Sequence, residues 1–158
     1  MMEENNDEFY MSLAQIEAMN SNDPNTKVGA VIVKDDKILS KGFNSEPDGF
    51  NEGFPWERDG EYLKTKYPFV CHGELNAICN YSGLKEDLKG AKIYVTLFPC
   101  NECAKLIIQS GIKEVIYESD KYADSKSTIA SKMMLNKCKI KYRQFTFEKE
   151  EKPKVKTK

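Results

Sequence analysis

One histidine and two cysteines at fixed spacing constrain this chain more than any other feature. His72 is the only histidine among 158 residues, and Glu74 follows two positions later. A Pro-Cys-x-x-Cys motif then supplies Cys100 and Cys103. About 27 residues separate His72 from Cys100, enough for one helix, one turn and one strand. The two motifs are therefore predicted to begin two helices whose N-termini face each other.

This set of side chains predicts a catalytic zinc site. One imidazole and two thiolates give Zn²⁺ three protein ligands and leave the fourth position to water, whereas structural sites usually fill all four. The partial positive charge of a helix N-terminus favours the thiolate forms of Cys100 and Cys103. Zinc lowers the pKa of its water, and Glu74 can reach that water without binding the metal. A closed structural zinc site or a redox cysteine pair are the alternatives.

The composition of the chain indicates where the protein is located in the cell and which kinds of partner it can bind. The net charge is -1 and the sequence pI is about 6.0, which argues against a stable nucleic-acid partner. No apolar run approaches a membrane span and no secretory signal is evident, so we expect a cytoplasmic protein without a membrane partner. Three further cysteines are predicted to be small buried apolar side chains rather than ligands: Cys71, Cys79 and Cys138.

Hydrophobic periodicity predicts a single α/β domain over residues 1–147, followed by a charged tail at 148–158 that is expected to be disordered. Helices are predicted over 8–20, 72–81, 99–109 and 124–136, and strands over 28–33, 38–43, 91–98, 112–117 and 139–147. The first two strands form a hairpin, and the later strand–helix alternation implies parallel strands. The predicted fold is a three-layer α/β/α arrangement: a mixed sheet of about five strands with helices on both faces.

Local signals add detail to this outline. Phe9, Leu13 and Ile16 are predicted to form the apolar face of the first helix. Pro99 is expected in the first turn of its helix, and Gly111 is expected as a C-cap. Four aromatic residues in or after the long loop at 44–68 either contact a base or a second subunit, or anchor that loop: Trp56, Tyr62, Tyr67 and Phe69.

Four stretches resemble deoxycytidylate (dCMP) deaminases: residues 23–30, 66–72, 94–117 and 119–122. The resemblance covers about residues 10–147, far more than the zinc motifs shared by nucleobase deaminases in general. It implies a cytidine deaminase-like fold and hydrolysis of dCMP to dUMP and ammonia by a zinc-bound hydroxide, with Glu74 as proton shuttle. The dUMP would supply thymidylate synthesis.

The same resemblance implies residues for the rest of the substrate. Asn25 and Asn44 are expected to contact the sugar and phosphate. Lys121 and Tyr122 are expected beyond the carboxyl end of a strand, where ligands of such sheets bind. Gly73 is expected to contact substrate through its backbone, although the family usually has alanine there.

Regulation and assembly are also implied by the resemblance. Family members carry a control site at which dCTP activates and dTTP inhibits, with Mg²⁺, and they form homo-oligomers from dimers to hexamers. Ser45 replaces a family glycine in this region, where its side chain is expected to block a backbone approach or to require a strained angle.

Two other classes of protein remain open on the sequence alone. The first is a zinc deaminase of another cytosine nucleotide or of a polynucleotide base, against which the small number of arginines, Arg58 and Arg143, counts. The second is a non-catalytic zinc-stabilised module that senses nucleotides. Glu74 argues against the second class, because a binding module does not need a proton shuttle.

Overall fold

A computed structural model describes residues 6–50 and 52–148. Apart from Glu148, the predicted disordered tail lies outside these residues. None of the helices within them has both the length and the apolar character needed to cross a membrane. The elements in chain order are α1 (Asp7–Ala18), β1 (Gly29–Lys34), β2 (Lys37–Phe43), α2 (Gly73–Asn80), β3 (Lys92–Leu97), α3 (Asn101–Ser110), β4 (Glu114–Ser119), α4 (Lys126–Lys137) and β5 (Lys141–Gln144).

The described strands form one five-stranded sheet in the order β2-β1-β3-β4-β5. Strand β1 pairs antiparallel with both β2 and β3, whereas β3, β4 and β5 run parallel. The hairpin between β1 and β2 turns at Asp35 and Asp36, with φ angles of 51° and 58°. Two successive positive φ angles are typical of the type I′ turn, which matches the twist of the strands. The predicted hairpin and parallel strands are both confirmed.

Side-chain alternation along the strands separates two apolar layers. Val31 and Val33 pack with Tyr94 and α1 on one face of the sheet. Ala30 and its alternating neighbours face α2, α3 and α4 on the other side. The predicted three-layer fold is therefore confirmed.

The predicted apolar face of α1 is wrong at Phe9 and Ile16, although Leu13 packs partly buried against the core. Phe9 and Ile16 are 57% and 56% exposed. Asp7 is buried and accepts a hydrogen bond from Tyr94 Oη at 2.6 Å, and the Arg143 guanidinium also donates to it. This long-range polar contact therefore lies on the side of the helix that faces the sheet. The residues that α1 buries are Asp7, Tyr10, Met11, Ala14 and Ala18.

The start of α3 and the extent of β5 differ from their predicted boundaries. Pro99 precedes the N-cap residue Cys100, so it lies ahead of the first turn of α3 instead of inside it. Strand β5 covers only Lys141–Gln144 of the predicted residues 139–147, and it starts late because Lys139 has a φ of 57°, which a strand does not accommodate. Gly111 is confirmed as the C-cap of α3, with a φ of 83° in the left-handed region that glycine tolerates.

Candidate active site

The two sequence motifs meet where α2 and α3 begin. His72 is the N-cap residue of α2 and Cys100 is the N-cap residue of α3, each in an extended conformation just ahead of its helix. Cys103 follows within the first turn of α3 and is buried. Two helix N-termini therefore direct their partial positive charge at one place, as predicted.

The three predicted ligand side chains lie close enough to bind one ion. Nδ1 of His72 is 3.3 Å from Sγ of Cys100 and 3.4 Å from Sγ of Cys103, and the three atoms all lie within 4.8 Å of one another. Ligands of a tetrahedral zinc ion stand about 3.5 Å apart, given the usual Zn–N and Zn–S bond lengths. One nitrogen and two sulfur atoms at this spacing fit zinc in both chemistry and geometry.

The two thiols of this cluster differ in acidity. The pKa of Cys100 is lowered because Cys103 and His72 hydrogen-bond to its sulfur, which also accepts from the backbone N–H of Cys103. The pKa of Cys103 is raised by its hydrogen bond to Cys100 and by burial. Cys100 therefore loses its proton more readily than Cys103, and a metal ion bound to both sulfur atoms would compete with the proton of Cys103.

Glu74 lies in the first turn of α2 and is only 4% exposed. Burial raises the pKa of its carboxyl group, although the charge of His72 and a hydrogen bond from Cys103 act in the opposite direction. The net shift is upward. A carboxyl group of raised pKa beside a candidate metal site is suited to accept and return a proton.

Two of the predicted substrate contacts, Gly73 and Asn44, lie at or beside the start of α2, and a third, Asn25, precedes Val28 in the chain. Gly73 is buried, and a Cβ there would lie 3.2 Å from the carbonyl oxygen of Val28. Asn44 is also buried, and its Oδ1 accepts from the backbone N–H of Val28 at 2.8 Å. Asn25 is exposed in the turn that leads into this segment. Their contact with substrate stays a prediction.

The other two predicted contacts, Lys121 and Tyr122, lie past the carboxyl end of β4 as expected. Both are exposed, and Nζ of Lys121 lies 5.2 Å from the centre of the Tyr122 ring. Among the described residues, no hydrogen bond joins either side chain to His72 or to Glu74.

Ser45 does not carry the predicted strain. It pairs in an antiparallel bridge with Cys71 and is not among the described residues with a positive φ. Its hydroxyl donates to the carbonyl of Glu46 and accepts from Nδ2 of Asn76 on α2. The side chain therefore fits its surroundings by hydrogen bonding.

The remaining cysteines depart from their predicted burial. Cys79 and Cys138 are exposed, which corrects the expectation of small buried apolar groups. Cys71 is half-buried, and burial raises the pKa of its thiol. None of the three belongs to the described ligand cluster.

The aromatic residues of the long loop pack mainly on one another. The ring of Phe54 lies 4.6 Å from Trp56 and 6.4 Å from Phe69, between ring centres. These contacts support the loop-anchoring alternative for Trp56 and Phe69, and contact with a base or a second subunit stays a prediction. Tyr62 and Tyr67 are mostly exposed.

Sequence reasoning missed two polar pairs around the site. Lys66 donates to Asp23 from 43 positions away, and both side chains are buried. Ser127 of α4 donates to Oδ1 of Asn101 at 2.9 Å and accepts from its backbone N–H, which ties α4 to the first turn of α3. Asp23 and Lys66 lie inside the stretches that carry the family resemblance, but nothing local in either stretch indicates the pairing.

A family model and several curated proteins match this chain, and they all point to the same family. Residues 4–119 match the family model described as the cytidine and deoxycytidylate deaminase zinc-binding region. The chain is 50% identical to human deoxycytidylate deaminase over 141 residues, 87% of this chain and 78% of that protein. It is 43% identical to a probable deoxycytidylate deaminase of Drosophila melanogaster, over 87% of this chain and 70% of that one.

A solved structure agrees with these sequence relatives. The crystal structure of dCMP deaminase from the cyanophage S-TIM5, in complex with dCMP and dUMP, superposes with a TM-score of 0.75 at 29% identity. The match covers 92% of this chain and 100% of the phage chain. With the matching family model and a 50% identical relative, this chain belongs to the cytidine and deoxycytidylate deaminase family.

Proposed function

We propose that this chain hydrolyses dCMP to dUMP and ammonia. The observation that carries the proposal is the convergence of His72, Cys100 and Cys103 beside buried Glu74, in a member of this deaminase family. The curated relatives named deoxycytidylate deaminase and the phage enzyme complexed with dCMP and dUMP support the choice of substrate.

His72, Cys100 and Cys103 would hold the metal, and their donor set suits Zn²⁺. When bound, zinc supplies a water activated for attack on the ring carbon that bears the amino group. Glu74 accepts a proton from that water and delivers it to the adjacent ring nitrogen. Glu74 then transfers the second proton to the leaving amino group, so that water and dCMP become dUMP and ammonia.

The rest of the nucleotide would be held on either side of this centre. Asn25, Asn44 and the backbone of Gly73 are proposed to contact the sugar, the phosphate and the ring from the α2 side. Lys121 and Tyr122 are proposed as contacts from the segment after β4. The support is their position. Asn44 and Gly73 adjoin Val28 at the start of α2, and Asn25 lies in the turn that leads to Val28. Lys121 and Tyr122 lie at the carboxyl edge of the sheet.

A substrate comparison tests the proposal. The zinc-loaded protein is given dCMP, cytidine and dCTP separately, together with a tRNA anticodon stem, and ammonia release is measured for each. We expect dCMP to have the highest kcat/KM. A higher kcat/KM for dCTP or for the RNA would identify a deaminase of another cytosine nucleotide or of a polynucleotide, and no turnover with retained zinc would identify a binding module.

Control by nucleoside triphosphates stays a prediction, with dCTP as activator and dTTP as inhibitor in the presence of Mg²⁺. Adding each effector during dCMP turnover tests it, and Ser45→Gly is the matched variant. Three further proposals remain: one deaminase domain over 1–147, homo-oligomers from dimer to hexamer, and a cytoplasmic location. Light scattering of the purified protein tests the assembly.

A further inference from the structure

A buried ion pair lies beside the proposed site and has no part in the proton transfers. Nζ of Lys66 is 2.5 Å from Oδ2 of Asp23, and the two side chains are 8% and 1% exposed. Such pairs contribute little net stability, because desolvation offsets the attraction and an apolar pair of similar volume does as well. Its presence therefore suggests a role in geometry.

The Asp23 carboxylate fixes the turn that carries Asn25. Its Oδ1 accepts the backbone N–H groups of Asn25 at 2.8 Å and Thr26 at 3.1 Å. Its Oδ2 accepts from Lys66 and, at 3.4 Å, from Nδ2 of Asn44. One side chain thus orders both asparagines that are proposed to contact the nucleotide.

The same contacts lead directly to the start of α2. Asn44 spans Thr26 and Val28, donating to the carbonyl of Thr26 at 2.9 Å and accepting from the N–H of Val28. The Val28 carbonyl in turn faces Gly73, where a Cβ would lie 3.2 Å away. A displacement of the turn at 23–26 would therefore move the wall of the site next to Gly73.

Lys66 is held rigidly at the other end of the pair. Its carbonyl accepts from the N–H groups of Phe69 and Val70 at 3.0 Å and 2.8 Å, forming the tight turn that leads the chain towards His72. Its own N–H donates to the carbonyl of Glu57. The ammonium group is thus presented to Asp23 from a well-bonded backbone.

We propose that the Asp23–Lys66 pair is a positioning device that sets nucleotide affinity by holding Asn25 and Asn44 in place. The inference rests on the proposed function. Neither side chain takes part in the chemistry; both act through the turn at residues 23–26. The pair determines how well the sugar and phosphate bind and has little effect on the chemical step once they are bound.

Steady-state kinetics with dCMP test the pair. Lys66→Met removes the charge-assisted hydrogen bond to Asp23, so the turn at residues 23–26 must be reordered when the nucleotide binds. KM is therefore expected to rise about ten- to a hundredfold. The change in kcat should be much smaller and the zinc content unchanged. Lys64→Met is the matched control, because Lys64 lies two positions away and its side chain is 80% exposed in a surface pair with Glu61. It is expected to keep the wild-type KM.

A double variant separates positioning from support of the fold. Asp23→Leu with Lys66→Met removes both charges, so no unpaired charge remains buried. The protein is expected to fold but to melt below the wild type, because the N–H groups of Asn25 and Thr26 lose their acceptor. KM should stay raised, because the turn has lost its acceptor. A wild-type KM in this variant would overturn the proposal. If the double variant does not fold, Asp23→Glu takes its place: it keeps the charge but displaces the acceptor, and it is judged by the same KM.

Hydrogen exchange keeps this inference distinct from the assignment of dCMP. The amide protons of Asn25 and Thr26 should exchange faster in Lys66→Met than in the wild type, without any substrate present. If the wild type does not turn over dCMP but this exchange difference appears, the proposed function is wrong. The result would still show that Lys66 orders the turn at residues 23–26. Unchanged exchange at both amides would reject the positioning role whatever the substrate.

Discussion

Sγ of Cys103 lies 3.4 Å from Nδ1 of His72, although 31 positions separate the two residues. Each atom belongs to the first turn or the N-cap of a different helix, so the approach depends on how α2 and α3 pack. Cys100 completes the cluster from the same helix as Cys103. Loss of either sulfur leaves too few ligands for a stable zinc site.

Replacing Cys103 should therefore remove the metal. Cys103→Ser is expected to lower zinc content, measured by atomic absorption on purified protein, far below one ion per chain and to abolish deamination. Cys138→Ser is the matched control, since Cys138 is exposed and lies outside the cluster. Full zinc content in Cys103→Ser would contradict the assignment of this ligand.

Removing the carboxylate of Glu74 should separate metal binding from catalysis. Glu74→Gln preserves the shape of the side chain but cannot exchange the proton, so we expect kcat to fall about a hundred- to ten-thousandfold with zinc retained. Glu102→Gln provides the control, because Glu102 occupies the first turn of α3 but is exposed and paired with Lys105 at the surface. Equal rates for the two variants would remove Glu74 from the mechanism.

Two glycines near α2 should respond differently to alanine. A Cβ at Gly42 would lie 2.6 Å from the Gly73 carbonyl oxygen and 2.8 Å from the Asn76 carbonyl carbon, both backbone atoms of α2. Gly42→Ala must push the helix outwards and should cost about 1–3 kcal/mol in unfolding free energy, with lower activity. In Gly73→Ala the added Cβ would lie 3.2 Å from the carbonyl oxygen of Val28, so this variant should retain its stability and its activity. Urea unfolding and dCMP turnover measure the contrast, which a more disruptive Gly73→Ala would refute.

The buried carboxylate of Asp7 should support the fold without affecting catalysis. Asp7→Ala leaves the hydroxyl of Tyr94 without its acceptor at 2.6 Å and removes one of the two carboxylate partners of Arg143, the other being Glu114. We expect a loss of about 2–3 kcal/mol in unfolding free energy, with zinc content unchanged. Glu8→Ala is the neighbouring exposed control. A loss no larger than that of the control would show that the network does not stabilise the protein.

Acid should weaken the Asp23–Lys66 pair. Burial raises the pKa of Asp23, but hydrogen bonds from Lys66 and from the N–H groups of Asn25 and Thr26 outweigh it, so the folded pKa is lowered. The stabilisation is complete above the unfolded value of about 3.9 and disappears as pH falls through the folded pKa. Urea midpoints over this acidic range should fall more steeply for the wild type than for Asp23→Asn. If the urea midpoints of the two proteins fall in parallel with pH, the pKa of Asp23 is not lowered in the folded state.

Local patterns were sufficient for the order of elements and for the reactive groups. Alternation and turn residues predicted the hairpin, and the strand–helix repeat predicted the parallel strands, because these features depend on neighbours in the chain. His72, Glu74, Cys100 and Cys103 were identifiable because metal and proton chemistry restrict the residue types and their spacing.

Only the tertiary structure decided the features that depend on distant partners. Helix α1 buries Asp7 against Arg143, 136 positions away, and exposes Phe9 and Ile16, whose apolar spacing therefore gave the wrong face. The pairing of Asp23 with Lys66 spans 43 positions. The sequence by itself determined which groups could perform the chemistry. Packing decided what holds them, because hydrogen bonds between residues far apart in the chain leave no periodic trace along it.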